Sequence, residues 1–328
     1  MVIDKAIKIV VLGTGGTIAG AAATASDHTG YTAAQIGIGQ LLASVPGLAN
    51  PALTIQAEQI AQIDSKDMDF AVWIRLAARL SQLLLEPDVL GIVITHGTDT
   101  LEETAYFLHD LLHPVKPVVL TCAMRPATAL APDGPQNILD ALAVAAEPGA
   151  AGVMAVCAGV IHAALHVQKV HTQRLDAFSS GDQGPVGYVE DNRIRLATHW
   201  PLEESGRAQT AIKSIANLPD PLAWPRVEIV LSCAGASAAL VEALLGHGVQ
   251  GIVVAATGNG TIHHALEAAL LKAQAAGVSI VRATRCIDGR VLPKVGDAFA
   301  DSQGLSPVKA RIALMLSLIR RRAAATEN

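Results

Sequence analysis

Short, unbroken apolar runs separated by stretches of helical periodicity constrain the fold of this chain most strongly. The runs cover residues 7–12, 89–95, 118–121 and 153–157. They are continuous rather than alternating, which is typical of strands buried on both faces of a parallel sheet. Residues 67–85 and 101–112 instead place apolar side chains three and four positions apart. Strands that alternate with helices predict right-handed crossovers and a doubly wound α/β fold.

The 328-residue length and a lapse in this pattern predict two domains. Residues 202–225 are polar and contain several prolines, so we interpret them as an interdomain linker. Residues 1–201 are predicted to form the larger, N-terminal catalytic domain, built on a doubly wound, mainly parallel sheet. Residues 226–328 repeat the alternation of strands and helices and predict a smaller C-terminal parallel α/β domain.

Composition and charge exclude several classes of function. Hydrophobic residues make up 51% of the chain and charged residues 16%, enough for a large core. The formal net charge is −5 and there is no extended basic patch, so we expect no nucleic-acid partner. No apolar run has the length of a membrane span, so we expect no membrane partner either.

The compartment is predicted from the N-terminus and from the cysteines. The first apolar run begins almost at once, with no signal-peptide pattern before it, which favours a cytoplasmic protein. The chain has four cysteines and no C-x-x-C pair, and we expect them to be buried free thiols. They are Cys122, Cys157, Cys233 and Cys286.

The stretch VLGTGGTIAG, residues 11–20, follows the first strand. It does not fit a dinucleotide fingerprint, because Ile18 occupies the position of the third glycine, and it lacks the lysine of a P-loop. Thr14 and Thr17 lie at the carboxyl end of a strand, where open α/β sheets bind ligands. Both could instead hydrogen-bond within their own loop, and the residues alone do not decide between the two threonines.

A second loop of this kind occurs in ITHGTDTLEETAYFL, residues 94–108. Thr100 and Glu103 fit a capping box, so a helix is predicted to begin near Thr100. That places His96 and the sequence Gly-Thr-Asp at 97–99 at the end of a strand, with a hydroxyl beside a carboxylate.

TGGTIAG and HGTDTLEETAYFL resemble the two signature motifs of the bacterial-type L-asparaginases. Further matches follow in order along nearly the whole chain. They are Tyr31 in TGYT, Ser65-Lys66-Asp67-Met68 where the family usually has S-Q-D-M, PVVLTCAMRP at 117–126, DGPQN at 133–137, Lys169 in QKVHT, GPVGY at 184–188 and GNG at 258–260.

The resemblance implies hydrolysis of the side-chain amide of L-asparagine to L-aspartate and ammonia, without a metal or cofactor. Thr17 would be the nucleophile, and Tyr31 would lie beside it and help to manage its proton. Thr98, Lys169 and Asp99 would form a second set, in which a desolvated lysine can lose its proton and a carboxylate orients it. Which threonine attacks first stays open.

The resemblance also implies how the free amino acid is held. Ser65 would bind the α-carboxylate and Asp99 the α-ammonium group. The glycine backbone near Gly16 and Gly97 could supply N–H donors to the carboxylate and to the oxyanion. Lys66 replaces the family's usual glutamine, and its ammonium could pair with the substrate carboxylate or turn to solvent.

The family resemblance implies a homo-oligomer, usually a tetramer built as a dimer of dimers, with active sites shared between subunits. This chain departs from the family at Thr261, where many members have asparagine. It departs again at 285–291, a short loop without the family's glutamate, which favours asparagine over glutamine. Alternatives are an amidase acting on glutamine or another amide, and a non-catalytic amino-acid sensor.

Two histidine pairs spaced four apart raise the question of a metal. They are His109 with His113 and His162 with His166. Neither lies in an H-E-x-x-H motif and neither has a suitably spaced acidic ligand, so no metal site is predicted. Met124 and Arg125 are interpreted as structural.

Overall fold

The computed structural model describes residues 7–27, 30–48, 53–202 and 218–326. The chain divides into two compact units, Met1–Asn217 and Leu218–Asn328. The boundary between them falls within the predicted linker. Residues 203–217 of that linker lie outside the described residues, so the linker itself stays a prediction.

The described part of the first unit contains ten strands and four α-helices. The strands are β1 (Lys8–Gly15), β2 (Thr54–Ile63), β3 (Val89–Thr95), β4 (Pro117–Thr121), β5 (Gly152–Cys157), β6 (Val160–Ala163), β7 (Gln168–Lys169), β8 (Phe178–Ser179), β9 (Gly187–Glu190) and β10 (Arg193–Leu196). The helices are α1 (Ile38–Ala43), α2 (Phe70–Leu85), α3 (Leu101–Leu112) and α4 (Gly134–Ala146).

Eight of these strands form one sheet in the order β10-β9-β6-β5-β4-β3-β1-β2. The strands from β2 to β5 are parallel, whereas β6, β9 and β10 extend the sheet in antiparallel fashion. The predicted doubly wound, mainly parallel sheet is therefore confirmed. Strands β7 and β8 pair separately.

The core explains why the apolar runs are unbroken. Ile9 and Val11 on β1 belong to a buried cluster with residues of α1 and α4. Val10 and Leu12 alternate with them along the strand and are equally inaccessible to solvent. Since neighbouring side chains on a strand point to opposite faces, both faces of β1 are covered.

The second unit has its own sheet. Its strands are β11 (Val227–Leu231), β12 (Gly251–Ala256), β13 (Ser279–Thr284) and β14 (Ala300–Asp301), all parallel and in this order. Its helices are α5 (Ala239–Gly246), α6 (His264–Ala275) and α7 (Pro307–Thr326). The smaller parallel α/β fold predicted for this part is confirmed. Across the described ranges of both units, no helix is long and apolar enough to cross a membrane.

Two helix starts are set by contacts that local patterns did not predict. Helix α2 begins at Phe70, because the Asp69 carboxylate accepts a hydrogen bond from the Val72 N–H at 2.7 Å. Helix α3 begins at Leu101, as predicted, but the predicted capping box is wrong. The Thr100 hydroxyl donates to the carbonyl oxygen of Ser65 at 2.7 Å and makes no cap bond.

The loops after β1 and β3 touch each other through glycines. Gly16 has φ = 81°, and a Cβ atom on it would lie 2.3 Å from Gly97 Cα. A Cβ atom on Gly97 would lie 2.4 Å from Ser65 Oγ. No side chain fits at either position without moving backbone, so the glycines permit a close approach of the two loops.

A buried hydrogen-bond chain fixes the loop after β3. His96 Nδ1 lies 2.7 Å from the carbonyl oxygen of Gly97, and Nε2 lies 2.9 Å from Thr104 Oγ1 on α3. Because a carbonyl can only accept, Nδ1 carries the proton and Nε2 accepts from Thr104. Trp73 Nε1 in turn donates to Thr104 at 2.8 Å. Burial lowers the pKa of His96 to about 4, so the ring is neutral at pH 7.

Replacing Gly16 with alanine is expected to destabilise the protein by at least about 2 kcal/mol, since it combines left-handed backbone strain with a backbone clash. Gly39 on α1 is the matched control, because its added Cβ would meet nothing within 4 Å. Gly39→Ala should stabilise by roughly 0.5–1 kcal/mol. Urea unfolding of both variants measures the difference, and equal stability would contradict the proposed contact.

Acidification should destabilise the protein through His96. Above pH 6.5 the ring is neutral in both the folded and the unfolded chain and has no effect. Between pH 6.5 and about 4 the unfolded chain takes up a proton that the folded chain excludes, so the free energy of unfolding falls. The loss from this group should reach about 3 kcal/mol.

The measurement is urea unfolding of the wild type and of His96→Gln from pH 7 to pH 4. The variant lacks the titrating ring, so it should start less stable and lose less stability on acidification. Two curves that stay parallel over this range would rule out His96 as the cause.

Candidate active site

The candidate site lies where the strand order of the first sheet reverses. Strands β2, β1, β3 and β4 are adjacent and parallel, and β1 and β3 are joined through β2 at the sheet's edge. Ligands in open α/β sheets bind at such a switch point, beyond the carboxyl ends of the strands. Thr17 follows β1 and Thr98 follows β3, so the two predicted threonines meet at this edge.

A cavity of about 440 Å³ opens at this edge. Its walls contain all five residues predicted to be catalytic. The lining residues are Thr17, Tyr31, Thr98, Asp99, Met124, Arg125, Lys169, Thr172 and Gln173.

Thr17 lies in a short 3-10 turn and contacts the phenol of Tyr31. The distance from Thr17 Oγ1 to the tyrosine oxygen is 2.6 Å. Thr32, the residue after Tyr31, exchanges two backbone hydrogen bonds with Ala21, each 2.9 Å long. The tyrosine is therefore fixed to the glycine loop by backbone pairing immediately beside it. Thr17 is 7% exposed, so its hydroxyl is sheltered but borders the cavity.

Thr14 has a different environment. Its hydroxyl donates to the carbonyl oxygen of Thr95 at 2.9 Å, and the residue is 1% exposed. Thr14 thus ties β1 to β3 and does not line the cavity. Of the two threonines, between which the residues alone did not decide, Thr17 is the one that borders the cavity.

Lys169 joins the second threonine to its neighbouring carboxylate. Lys169 Nζ donates to Thr98 Oγ1 at 2.8 Å and to Asp99 Oδ1 at 2.6 Å. The lysine comes from β7, about seventy positions away in sequence. The lysine side chain is 18% exposed and that of Asp99 is 53% exposed, so the carboxylate is accessible from the cavity.

The backbone donors differ in part from the prediction. The Gly16 N–H donates to the carbonyl oxygen of Ile63 at 2.8 Å, so a donor near Gly16 has to come from a neighbouring residue. The N–H groups of Gly97, Thr17 and Thr98 make no backbone hydrogen bond within the described ranges.

Ser65 and Lys66 lie behind and beside the Gly97 loop. Ser65 is 3% exposed, and its hydroxyl accepts a hydrogen bond from the Asp99 N–H at 3.2 Å. Lys66 Nζ lies 2.5 Å from Asp67 and 3.9 Å from Asp64, and the side chain is 61% exposed. The hydrogen bond that Lys66 donates to the Asp67 carboxylate raises the pKa of Lys66. Of the two alternatives for Lys66, this geometry favours the one turned to solvent.

Four lining residues were not predicted to border the site: Met124, Arg125, Thr172 and Gln173. The Asp133 carboxylate accepts from the backbone N–H groups of Met124 and Arg125, each at 2.9 Å. Arg125 Nη1 donates to the carbonyl oxygen of Ala131 at 3.0 Å. The position of Met124 and Arg125 in the sequence could have indicated that they border the site. They follow β4, and its carboxyl end lies beside that of β3.

Two of the departures from the family pattern, Thr261 and the loop at 285–291, lie in the second unit. The hydroxyl of Thr261 lies 2.7 Å from that of Thr257, across a one-pair β-bridge. The side-chain oxygen Oδ1 of Asn259 accepts a hydrogen bond from the Leu292 N–H at 2.7 Å. In the loop at 285–291, Cys286 is exposed and Val291 is buried. No cluster of three or more potential metal ligands occurs in the part of the chain that the structure describes.

Two family models match the chain. The N-terminal asparaginase domain matches residues 8–202. The glutaminase/asparaginase C-terminal domain matches residues 226–326.

Full-length relatives extend this match. L-asparaginase 2 of Bacillus subtilis is 38% identical over 95% of this chain and 82% of its own length. A probable periplasmic L-asparaginase of Haemophilus influenzae is 37% identical over 95% of this chain and 88% of its own. The crystal structure of a probable cytoplasmic L-asparaginase from Campylobacter jejuni is 38% identical, covers 95% of both chains and has a TM-score of 0.86. With both units matched over nearly their whole length, the chain belongs to the asparaginase family.

Proposed function

We propose that this protein hydrolyses the side-chain amide of L-asparagine to L-aspartate and ammonia. One observation carries the proposal: two threonine hydroxyls border the same cavity, one bonded to a phenol and the other to a lysine–aspartate ion pair. A hydroxyl is a weak nucleophile and needs a neighbouring group to take its proton. Membership of the asparaginase family supports the choice of substrate.

Thr17 is the proposed nucleophile. Its Oγ1 bonds to the amide carbon while its proton passes to the oxygen of Tyr31, 2.6 Å away. Tyr31 passes its own proton to the leaving nitrogen, so the C–N bond breaks and ammonia departs. Water then cleaves the resulting ester, which releases aspartate and restores the Thr17 hydroxyl.

The negative charge that develops on the amide oxygen needs donors fixed in advance. The N–H groups of Thr17 and Thr98 are the proposed donors, because both belong to cavity-lining residues and neither bonds to another backbone group within the described ranges. The N–H group of Gly97 is a third candidate donor, because it too makes no backbone hydrogen bond within the described ranges. The close approach of the two loops is what brings donors from different strands to one atom.

Thr98, Lys169 and Asp99 form the second proposed set. Lys169 donates to both oxygens, which fixes the Thr98 hydroxyl and directs its proton away from the lysine. Asp99 has a second role as the partner of the substrate ammonium, for which its exposure to the cavity is suited. We place the α-carboxylate near the Ser65 hydroxyl, which still has its proton to donate.

The proposal extends to specificity, location and assembly. We expect a preference for asparagine over glutamine because the loop at 285–291 lacks the family's glutamate, although the C-terminal family model takes its name from both activities. A cytoplasmic location and a homotetramer built as a dimer of dimers rest on the sequence alone, and the relatives' names include a periplasmic and a cytoplasmic protein. No metal or cofactor is assigned.

Thr17→Val should lower kcat for asparagine by at least about a thousand-fold, because the variant keeps the shape and loses the nucleophile. Thr14→Val is the matched control: it loses a buried hydrogen bond and about 1–3 kcal/mol of stability, but keeps most of its activity. Ammonia release from asparagine and from glutamine, measured separately, gives both kcat values.

The two variants, together with measurements on the wild type, separate the competing interpretations of the site. Full activity of Thr17→Val, or loss only in Thr14→Val, would refute the nucleophile assignment. Faster release from glutamine would identify the alternative amidase. Binding of aspartate by a wild type that releases no ammonia from either amino acid would identify a sensor.

Lys169→Met should lower kcat about 100- to 10,000-fold, the usual effect of losing a group that positions a proton. Lys66→Met is the control with the same chemical change. Its ammonium pairs with exposed carboxylates, and such solvent-screened pairs contribute little, so KM should change less than about fivefold. Steady-state kinetics on both variants measure this. A much larger rise in KM for Lys66→Met would restore the predicted contact with the substrate carboxylate.

A further inference from the structure

Two cysteines lie side by side at the carboxyl ends of neighbouring strands. Thr121 on β4 pairs with Val156 on β5, and Cys122 and Cys157 occupy the next position of this parallel register. Their sulfur atoms are 3.1 Å apart, closer than two unbonded sulfur atoms usually approach. The two residues are 35 positions apart in sequence, so no C-x-x-C motif signals the pair.

The backbone around both cysteines is fixed. Asn137 on α4 donates from Nδ2 to the carbonyl oxygen of Cys122 at 2.9 Å, and its Oδ1 accepts from the Ala158 N–H at 3.0 Å. Ala158 and Gly159 both have positive φ and turn the chain directly into β6. One asparagine therefore bridges the two strand ends at the same level as the sulfur atoms.

We propose that Cys122 and Cys157 are a disulfide site, which a hydroperoxide oxidises in the folded protein. One thiolate attacks the terminal peroxide oxygen and forms a sulfenic acid as the O–O bond breaks, releasing one water or alcohol. The sulfur of the second cysteine then attacks the sulfenic sulfur and forms the S–S bond. The displaced hydroxide takes up a proton and leaves as water. Two thiols lose two electrons and two protons in total, and the peroxide gains both.

The reaction is slow in both directions. Cys122 is 1% exposed and Cys157 is 4% exposed, and burial raises the pKa of the Cys122 thiol, which keeps the reactive thiolate scarce. Cys233 and Cys286 of the second unit are exposed, so the prediction of buried thiols is wrong for these two. The exposed pair should therefore react with thiol reagents first and the buried pair much later.

The bond would strengthen one wall of the cavity. It closes a loop that contains all of α4 and restricts the unfolded chain, an effect that grows with loop length. Cys122 also lies two and three residues before Met124 and Arg125, which line the cavity. This inference does not depend on the proposed function, because the thiols are not part of the proposed reaction.

The test uses the full chain carrying Cys233→Ser and Cys286→Ser, so that only the buried thiols remain. After treatment with hydrogen peroxide and removal of the excess, thiols are counted with a disulfide reagent in denaturant. We expect both thiols to disappear, the mass to fall by two hydrogen atoms, and peptides containing Cys122 and Cys157 to be joined until a reductant is added. The melting temperature should rise by roughly 5 °C or more.

Cys157→Ala in the same background is the control, and its remaining thiol should give neither the joined peptides nor the rise. Two thiols that persist after treatment, or oxidation of each sulfur to separate acids, would overturn the proposal. A bond between two chains, visible as a dimer on a non-reducing gel, would overturn it as well. Should the serine variants fail to fold, peptide mapping of the oxidised wild type decides between Cys122–Cys157 and any other pairing.

Discussion

The candidate site depends on the contact between Gly16 and Gly97. Strands β1 and β3 are neighbours, but their loops carry different catalytic candidates, and those candidates must reach one small cavity. A Cβ atom on Gly16 would lie 2.3 Å from the facing Cα, so any larger residue would push the loops apart. Separation by even one ångström would remove Thr17 and Thr98 from a common reacting atom, and misplacement on that scale is costly in catalysis.

Buried polar groups stabilise this contact from both strands. Thr14 bonds the end of β1 to the end of β3, and His96 is linked to α3 through Thr104. Each of these side chains has a hydrogen-bond partner, and paired groups are the condition under which a buried polar network makes a structure rigid rather than unstable. The histidine must stay neutral to do this, so rigidity at the site comes with a loss of stability in acid.

The sequence predicted the strands and helices well where periodicity was strong, as in β3 and α3, because burial on one or both faces sets the pattern directly. It also predicted five of the nine residues that line the cavity, through motifs rather than through local physics. The sequence-based predictions failed where a hydrogen-bond partner far away in sequence takes a group that the local pattern assigned to a nearby role. The Thr100 hydroxyl does not cap its helix but donates to the backbone carbonyl oxygen of Ser65, and the Gly16 N–H donates to a carbonyl oxygen of β2.

The two threonines differ in what surrounds their oxygens, and this difference argues for distinct roles. The Thr98 oxygen receives a hydrogen bond from the Lys169 ammonium, which draws electron density away from it and suits it to orient rather than attack. The Thr17 oxygen faces a neutral phenol that can take one proton as it gives another. Tyr31 can do this only if it stays in place, and the backbone bonds between Ala21 and Thr32 hold it there. The proposed attacking oxygen and its proposed proton acceptor thus lie on either side of the Ala21–Thr32 pairing, so this pairing helps to set the distance between them.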